Sequence, residues 1–80
     1  MIVTYTQHAI DMLAERGIER AWVERTILQP DAIEPDPRHG DRQRAFRIVP
    51  ERDGRVLPVV YAQSGQECRV ITLFLDRGRR

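Results

Sequence analysis

The chain has 80 residues, enough for one small domain but too few for a second core or a large cofactor-binding domain. Thirteen basic and twelve acidic residues give a net charge of +1, so the overall charge does not predict nucleic-acid binding. All 13 basic residues are arginines, whose planar guanidinium suits phosphate and stays protonated near neutral pH. Any surface that binds nucleic acid must therefore be a local patch.

Cys68 is the single cysteine, which excludes an intrachain disulfide and a zinc site built from paired cysteines. This usage is typical of the reducing cytoplasm. Residues 1–4 are too short an apolar start for a signal peptide, and no apolar run approaches the length that crosses a bilayer. We therefore expect a cytoplasmic protein with no membrane partner.

Residues 5–18 contain the most informative pattern in the chain, an amphipathic helix with clear ends. Thr6 suits the N-cap, and Gly17 suits the left-handed position just beyond the C-terminus. His8 and Arg16 then lie along one edge of the apolar stripe, about 12 Å apart along the helix axis. That separation excludes a hydrogen bond, but it suits two groups that flank an extended polyanion.

A short strand is predicted before this helix at residues 1–5, and a second helix follows it at residues 19–29, ended by Pro30. The short joint between the two helices indicates an antiparallel hairpin. Trp22 lies on the second helix, and we expect it to be buried against its own helix and a sheet, since small domains rarely leave a large aromatic ring exposed.

Residues 31–41 are rich in proline and predict a short strand around Ile33, followed by a mobile loop at residues 36–41. His39 lies in that loop, where it is either a solvated histidine or a functional one. The rest of the chain predicts three strands with two hairpin turns: strands at 42–49, 56–63 and 67–76, and turns at 52–55 and 64–66. Residues 77–80 are expected to be a frayed tail.

Alternation assigns the faces of these strands, because successive side chains point to opposite sides. Arg44 and Phe46 share one face of the strand at 42–49, whereas Arg47 lies on the other. In the last strand Ile71 and Leu73 are expected to face the core. The whole chain is then one α+β domain, with an N-terminal strand and a two-helix hairpin packed on one face of a twisted antiparallel sheet.

No metal-binding motif, glycine-rich phosphate loop or serine nucleophile motif is present, so no metal or other cofactor is expected. Metal-independent RNA cleavage instead needs an acid, a base and cations that stabilise the charge on phosphorus during attack by the 2′-hydroxyl. Histidine suits the proton transfers and arginine suits the phosphate. The candidates of these types are His8, Arg16, Arg44, Arg47, Tyr61 and Thr72. Taken alone, His8 also fits a partly buried structural residue at a helix start.

Short motifs along nearly the whole chain form a further pattern: Tyr5-Thr6-Gln7-His8-Ala9, Arg16-Gly17-Ile18, Leu28-Gln29-Pro30 and Val70-Ile71-Thr72-Leu73. Together they resemble a family known as domain of unknown function 4258. That family is grouped with small bacterial toxins of the RelE and BrnT type, which cleave RNA without a metal. The resemblance implies a RelE-like fold, with His8, Arg16 and Thr72 as matched site positions. Asp11 stands where the family usually has an arginine.

The resemblance therefore implies, as a first hypothesis, a metal-independent endoribonuclease toxin of a bacterial toxin–antitoxin system, with RNA or the ribosome as its target and an antitoxin protein as its partner. In this hypothesis His8 is the general acid or base. The other groups bind or stabilise the phosphate: catalytic Arg16, Arg47 and Thr72, and substrate-binding Arg44 and Tyr61. The alternative is a non-catalytic binding module, which the near-neutral charge and the loss of a cation at Asp11 favour. The oligomeric state stays open.

Overall fold

Residues 1–76 are described by the computed structural model, and within them the chain forms two α-helices, one 3₁₀ turn and five strands. In chain order these are β1 (Ile2–Tyr5), α1 (Gln7–Arg16), α2 (Arg20–Leu28), β2 (Ala32–Pro35), β3 (Gln43–Val49), the 3₁₀ turn (Pro50–Arg52), β4 (Arg55–Ser64) and β5 (Glu67–Leu73). This order confirms the predicted α+β layout, with a shorter last strand. Neither helix is long and apolar enough to cross a bilayer. The tail at 77–80, expected to be frayed, lies outside the described residues.

The strands pair into one sheet in the order β1-β5-β4-β3-β2. Neighbouring strands within residues 1–76 are antiparallel except β1 and β5, which run parallel with Tyr5 opposite Val70. A parallel partner cannot be reached through a tight hairpin, and here the chain passes through both helices and the other strands before it returns. The sheet is therefore mostly antiparallel, with one parallel edge that the sequence pattern did not indicate.

Helix α1 begins and ends where its sequence predicts. The Thr6 hydroxyl accepts a hydrogen bond from the Ala9 N–H at 3.1 Å, and Gly17 adopts the left-handed conformation at φ 62°. Arg52 adds a second cap, because its Nη1 donates to the carbonyls of Arg16 and Gly17, both at 3.1 Å. Carbonyls at a helix end lack partners within the helix, so this contact ties the β3–β4 turn to the end of α1.

Both helices cover the same face of the sheet, with α1 over β1 and β5 and with α2 over β3 and β4. One hydrophobic core lies between the helices and the sheet: Ala9, Leu13, Ile18, Trp22, Val23, Ile27, Ala45, Val49, Leu57, Val59, Tyr61, Cys68, Val70 and Leu73. Trp22 is 8% exposed, which confirms its predicted place in the core. A domain of this size buries little apolar surface on folding, and one large aromatic ring contributes a substantial part of that buried surface.

A β-bulge in β5 changes which of its side chains reach the core. Val60 pairs with Thr72, whereas the next residue of β4, Tyr61, pairs with Val70. Ile71 is therefore an extra residue in β5. Val70 is fully buried and Ile71 is only partly buried. The prediction that Ile71 faces the core is wrong, because an inserted residue reverses the two-residue period of the strand.

The other face of the sheet is not covered by either helix, and we call it the helix-free face. Directly paired residues share a face, so Arg44 and Phe46 of β3 lie there beside their partners Val60 and Pro58 of β4. This arrangement confirms the alternation predicted for Arg44 and Phe46. A cleft lies on the helix-free face.

Candidate functional site

A cleft of about 330 Å³ lies on the helix-free face, between the strands and the loop that joins β2 to β3. Part of its lining is apolar: Phe46, Pro58, Val60 and Phe74. The remainder is polar: Asp36, Arg38, His39, Arg42, Arg44, Thr72 and Asp76. Its volume is at the small end of the range for small-molecule sites. The cleft thus presents an apolar surface and several cations to one ligand.

Hydrogen bonds organise the loop at residues 36–42 over this face. The Asp36 N–H donates to the Arg42 carbonyl at 3.0 Å, which closes the loop at its base. Asp36 Oδ1 accepts from the Arg38 N–H at 2.8 Å, and the Arg42 N–H donates to the His39 carbonyl at 3.0 Å. These bonds give a defined path to the loop that the sequence predicts to be mobile, and they bring His39 and Arg42 to the cleft.

Asp36 is the most buried carboxylate of the cleft, with 9% of its surface exposed. Its Oδ1 lies 3.9 Å from Arg44 Nη2. The hydrogen bond from the Arg38 N–H, followed by the charge of Arg44 and the N–H of His39, holds the pKa of Asp36 below its ordinary value. Asp36 is therefore ionised near neutral pH, and it partly neutralises Arg44.

His8 reaches the cleft through Thr72. Nε2 of His8 lies 3.1 Å from Oγ1 of Thr72, and the tautomer of His8 decides which of the two donates. Thr6 positions this pair, because its N–H donates to the Val70 carbonyl and its hydroxyl donates to the Ile71 carbonyl, both at 3.0 Å. The first turn of α1 is thereby tied to the bulge of β5, immediately before Thr72.

The arginines of the cleft have unused hydrogen-bonding capacity. The Nε atoms of Arg42 and Arg44 are buried and have no hydrogen-bond partner within residues 1–76, as is also true of Arg25 and Arg47 outside the cleft. A guanidinium group carries five N–H donors, and an anion in the cleft can accept charge-assisted hydrogen bonds from those that face it. Arg38 adds a third cation, so three arginines face the two carboxylates of Asp36 and Asp76. The cleft keeps a small excess of positive charge.

The structure brings together some of the residues that the sequence proposes for a site, namely His8, Thr72 and Arg44. Arg16 is not among them. It ends α1, about 12 Å along the helix axis from His8, and its side chain is exposed. The same helix thus carries one arginine far from the cleft and one histidine beside it.

Arg47 and Tyr61 lie on the helix-covered side of the sheet. Arg47 Nη1 donates to the Gln29 carbonyl just beyond α2 and lies 3.9 Å from Asp31 Oδ1. Tyr61 belongs to the hydrophobic core, and burial raises the pKa of its phenol. Neither side chain lines the cleft. Arg47 holds the end of α2 near β2 and β3.

The loop supplies cleft residues that the sequence reasoning did not assign to the site: Arg38, His39, Arg42 and Asp36. An aspartate that accepts a backbone N–H two residues later is a recognised turn pattern, and the proline that follows Asp36 strengthens that signal. The pattern predicts that the loop curls. It does not predict that the loop curls over the helix-free face, because that direction depends on the pairing of β2 with β3.

Within residues 1–76, no group of three or more His, Cys, Asp or Glu side chains is arranged to hold a metal ion. The fold and the cleft define a small α+β domain whose helices cover one sheet face and whose β2–β3 loop builds a basic cleft, with histidine at its edge, on the other. The chain belongs to the family described as domain of unknown function DUF4258, whose model matches residues 5–75. No curated protein and no solved structure matches the chain.

Proposed function

We propose that the cleft binds RNA and cleaves it without a metal, through attack of a 2′-hydroxyl on the adjacent phosphate. The observation that carries this proposal is the 3.1 Å contact between His8 Nε2 and Thr72 Oγ1. It places an imidazole at the edge of a cleft lined by Arg42 and Arg44. A proton-transfer group and cations for the phosphate are the parts that this reaction requires.

His8 and His39 divide the proton transfers. One imidazole removes the proton of the 2′-hydroxyl while its oxygen forms a bond to phosphorus. The other gives a proton to the 5′-oxygen while the bond between that oxygen and phosphorus breaks. The products are a 2′,3′-cyclic phosphate and a 5′-hydroxyl. Histidine is the side chain that most often serves as a general acid or base.

Arg42 and Arg44 stabilise the extra negative charge on the phosphate. Both side chains line the cleft, so an anion there would accept charge-assisted hydrogen bonds from their guanidinium groups. When His8 Nε2 donates to Thr72 Oγ1, this contact orients His8 and the Thr72 hydroxyl can donate its own proton to the same phosphate. We assign neither Arg16 nor Arg47 to this phosphate, because neither lines the cleft.

The first test is cleavage of RNA in vitro, in the presence of EDTA, by the wild type and three variants. His8→Ala should lower the rate by about 10²- to 10⁴-fold, the usual loss for one acid or base. Thr72→Val removes only the hydroxyl at nearly constant volume and should also lower the rate. Arg16→Ala is the matched control, since it removes a cation of the same helix that lies far from the cleft.

The reaction products and the folding of each variant are measured alongside. Cleaved fragments should end in a 2′,3′-cyclic phosphate, and melting curves should stay close to wild type, because His8 and Arg16 are both exposed. Wild-type protein that leaves RNA intact, with and without ribosomes, would rule out this activity. Equal losses in His8→Ala and Arg16→Ala would remove the cleft as its site.

The cellular form of the proposal is a toxin that acts on cytoplasmic RNA, alone or on the ribosome, and that an antitoxin protein holds in check. Expression without a partner should slow bacterial growth, and His8→Ala should restore it at an equal protein level. Growth that recovers only in proportion to lost protein would indicate a structural role for His8. A small reading frame beside the gene that restores growth would identify the antitoxin.

The second candidate is a non-catalytic binding module, which the carboxylates of the cleft favour. Asp36 Oδ1 lies 3.9 Å from Arg44 Nη2 and competes with a phosphate for that cation. Asp76 also lines the cleft. A module of this kind binds its ligand without cutting RNA. Binding of an oligonucleotide by wild-type protein, with no cleavage under any of the conditions above, would select this candidate.

A further inference from the structure

Phe74 is an exposed aromatic residue in the wall of a basic cleft. It is 41% exposed, whereas the other phenylalanine of the cleft, Phe46, is 5% exposed and is therefore explained by packing. The Phe74 N–H donates to the Pro58 carbonyl at 3.3 Å, which holds its backbone against β4. A fixed backbone with an exposed ring leaves an apolar surface open to a ligand.

The position of Phe74 relative to Thr72 suits a nucleotide. The two residues are two apart and both line the cleft, so their Cα atoms are separated by roughly 6.6 Å in an extended segment. A phosphate beside Thr72 and Arg44 would place its own base or the neighbouring base within reach of Phe74. Aromatic rings interleaved with arginines are the usual means by which open sheet surfaces bind unpaired nucleotides.

We propose that Phe74 is a stacking platform for one unpaired nucleobase, and that the cleft therefore selects single-stranded RNA. The position of the phosphate in this assignment rests on the proposed function. In a duplex both faces of a base are covered by its neighbours, so the ring of Phe74 has no base face to contact. An unpaired base offers that face, and the arginines hold the backbone beside it.

Binding of an oligonucleotide that cannot be cleaved tests the platform separately from the chemistry. A fluorescently labelled 2′-O-methyl RNA lacks the attacking hydroxyl, and the same strand annealed to its complement provides the duplex. Affinity is measured by fluorescence anisotropy at one fixed, low salt concentration, because backbone contacts depend strongly on salt. Wild type should bind the single strand at least tenfold more tightly than the duplex.

Two substitutions of Phe74 and one matched control separate stacking from general apolar contact. Phe74→Leu keeps an apolar side chain but loses the ring face, and it should weaken single-strand binding about tenfold, the loss typical of one base stack. Phe74→Trp should retain the affinity. Ile48→Ala removes an apolar side chain that is 47% exposed on the same sheet face but outside the cleft, and it should have no effect.

The indole introduced by Phe74→Trp gives a second, direct measurement. Its fluorescence should be quenched when the single strand binds, while Trp22 is buried in the core and should contribute an unchanged background. Unchanged affinity in Phe74→Leu, equal affinity for the duplex, or absence of quenching would each overturn the platform.

The outcomes also separate this inference from the proposed reaction. Binding that depends on Phe74 in a protein that cuts no RNA would support the platform and remove the nuclease. RNA cleavage by Phe74→Leu at the wild-type rate, together with unchanged affinity, would support the nuclease and remove the platform.

Discussion

Single side chains enter the cleft because of backbone geometry one or two residues away. Thr72 lines the cleft directly after the extra residue Ile71, which breaks the alternation of β5. Arg44 lines it, whereas Arg47 lies on the opposite face, because the two residues are three positions apart in one strand and side chains alternate between the faces. If the pairing register of β3 or β5 shifted by one residue, Arg44 or Thr72 would therefore point to the opposite face and leave the cleft.

At the residue scale, we expect the buried thiol of Cys68 to make the folded protein less stable at alkaline pH. Burial raises the pKa of this thiol to about 11, so it stays neutral in the folded state well above neutral pH. The unfolded chain ionises its thiol near pH 8.5 and then binds fewer protons than the folded chain. The free energy of unfolding should therefore fall as pH rises from about 9 to 11.

Chemical denaturation at a series of pH values measures this fall, and Cys68→Ala is the comparison. The variant should be less stable at neutral pH, because it leaves a small cavity, but its stability should decline less steeply above pH 9. Burial also raises the pKa of Tyr61, so part of the decline should remain. Identical slopes for the two proteins would exclude Cys68 as the source.

At the scale of elements, short hydrogen-bonded connections hold α1, which carries His8, and the β2–β3 loop, which carries His39, in place. The Thr6 cap joins the start of α1 to β5, and Arg52 joins its end to the β3–β4 turn. Asp36 closes the loop that carries His39. The bonds of Thr6 and Arg52 are made by side chains, so one substitution removes either of them, whereas the bond of Asp36 to Arg42 is made by the backbone.

The left-handed end of α1 should make Gly17→Ala destabilising. Gly17 has φ 62°, and the nearest atom to an added Cβ is Arg52 Nη1 at 3.6 Å, an ordinary contact. The cost should therefore come from the backbone conformation and amount to about 1–2 kcal/mol. Gly40→Ala is the control, because an added Cβ there meets nothing within 4 Å. Denaturation midpoints that shift equally in both variants would contradict this account.

The carboxylate of Asp36 should have two roles that substitutions can separate: its charge competes with an anionic ligand for Arg44, and its oxygen accepts the hydrogen bond that shapes the loop. Asn accepts the Arg38 N–H as Asp does but carries no charge, so Asp36→Asn should keep the loop and raise the affinity of the cleft for the 2′-O-methyl RNA single strand. Asp36→Ala removes the acceptor and should also loosen the loop. Fluorescence anisotropy measures the affinity, and amide exchange of Arg38 and Arg42 reports the loop. Weaker binding by Asp36→Asn would show that the carboxylate does not compete with the ligand.

The lowered pKa of Asp36 also sets the pH at which the loop weakens. A folded-state pKa below the unfolded value adds stability above about pH 4, and that stability is lost as pH falls through the folded value. We therefore expect wild-type amide protection in the loop to hold at pH 5 and to decrease below about pH 4. Asp36→Asn should show no such dependence. Hydrogen exchange followed by NMR measures both.

At the scale of the whole molecule, the two faces of the sheet differ in what they carry. The helix-covered face holds the hydrophobic core, and the helix-free face holds the cleft. Because the helices pack on one side only, cleft residues can change without loss of the main core. The same separation explains why Arg47 and Tyr61, on the covered side, contribute to structure.

Removal of Trp22 should test how much the molecule depends on that single core. Trp22→Ala should cost about 3–5 kcal/mol, a large part of the total stability of so small a domain. Leu28→Ala is the control, since Leu28 lies on the same helix with its side chain exposed. Thermal melting should show a strongly lowered or absent transition for Trp22→Ala only. A melting curve like that of wild type would mean that α2 does not depend on this ring.

The sequence by itself determined the elements whose signals are local. The ends of α1 follow from Thr6 and Gly17, which act within one turn, and the burial of Trp22 follows from the amphipathic pattern of α2. The family resemblance likewise came from short motifs, and the family model matches residues 5–75. In the candidate site, His8 and Thr72 were identified from residue type and from the family resemblance.

Only the tertiary structure decided which of these residues meet. The parallel pairing of β1 with β5 and the bulge at Ile71 bring His8 to Thr72, although they are 64 positions apart. The curl of the β2–β3 loop brings His39 to the same cleft. Pairings of this kind depend on contacts between distant segments, which neither periodicity nor capping signals contain. For that reason the Arg-Gly-Ile motif could suggest Arg16 as a site residue, but only the folded structure showed that Arg16 lies far from the cleft.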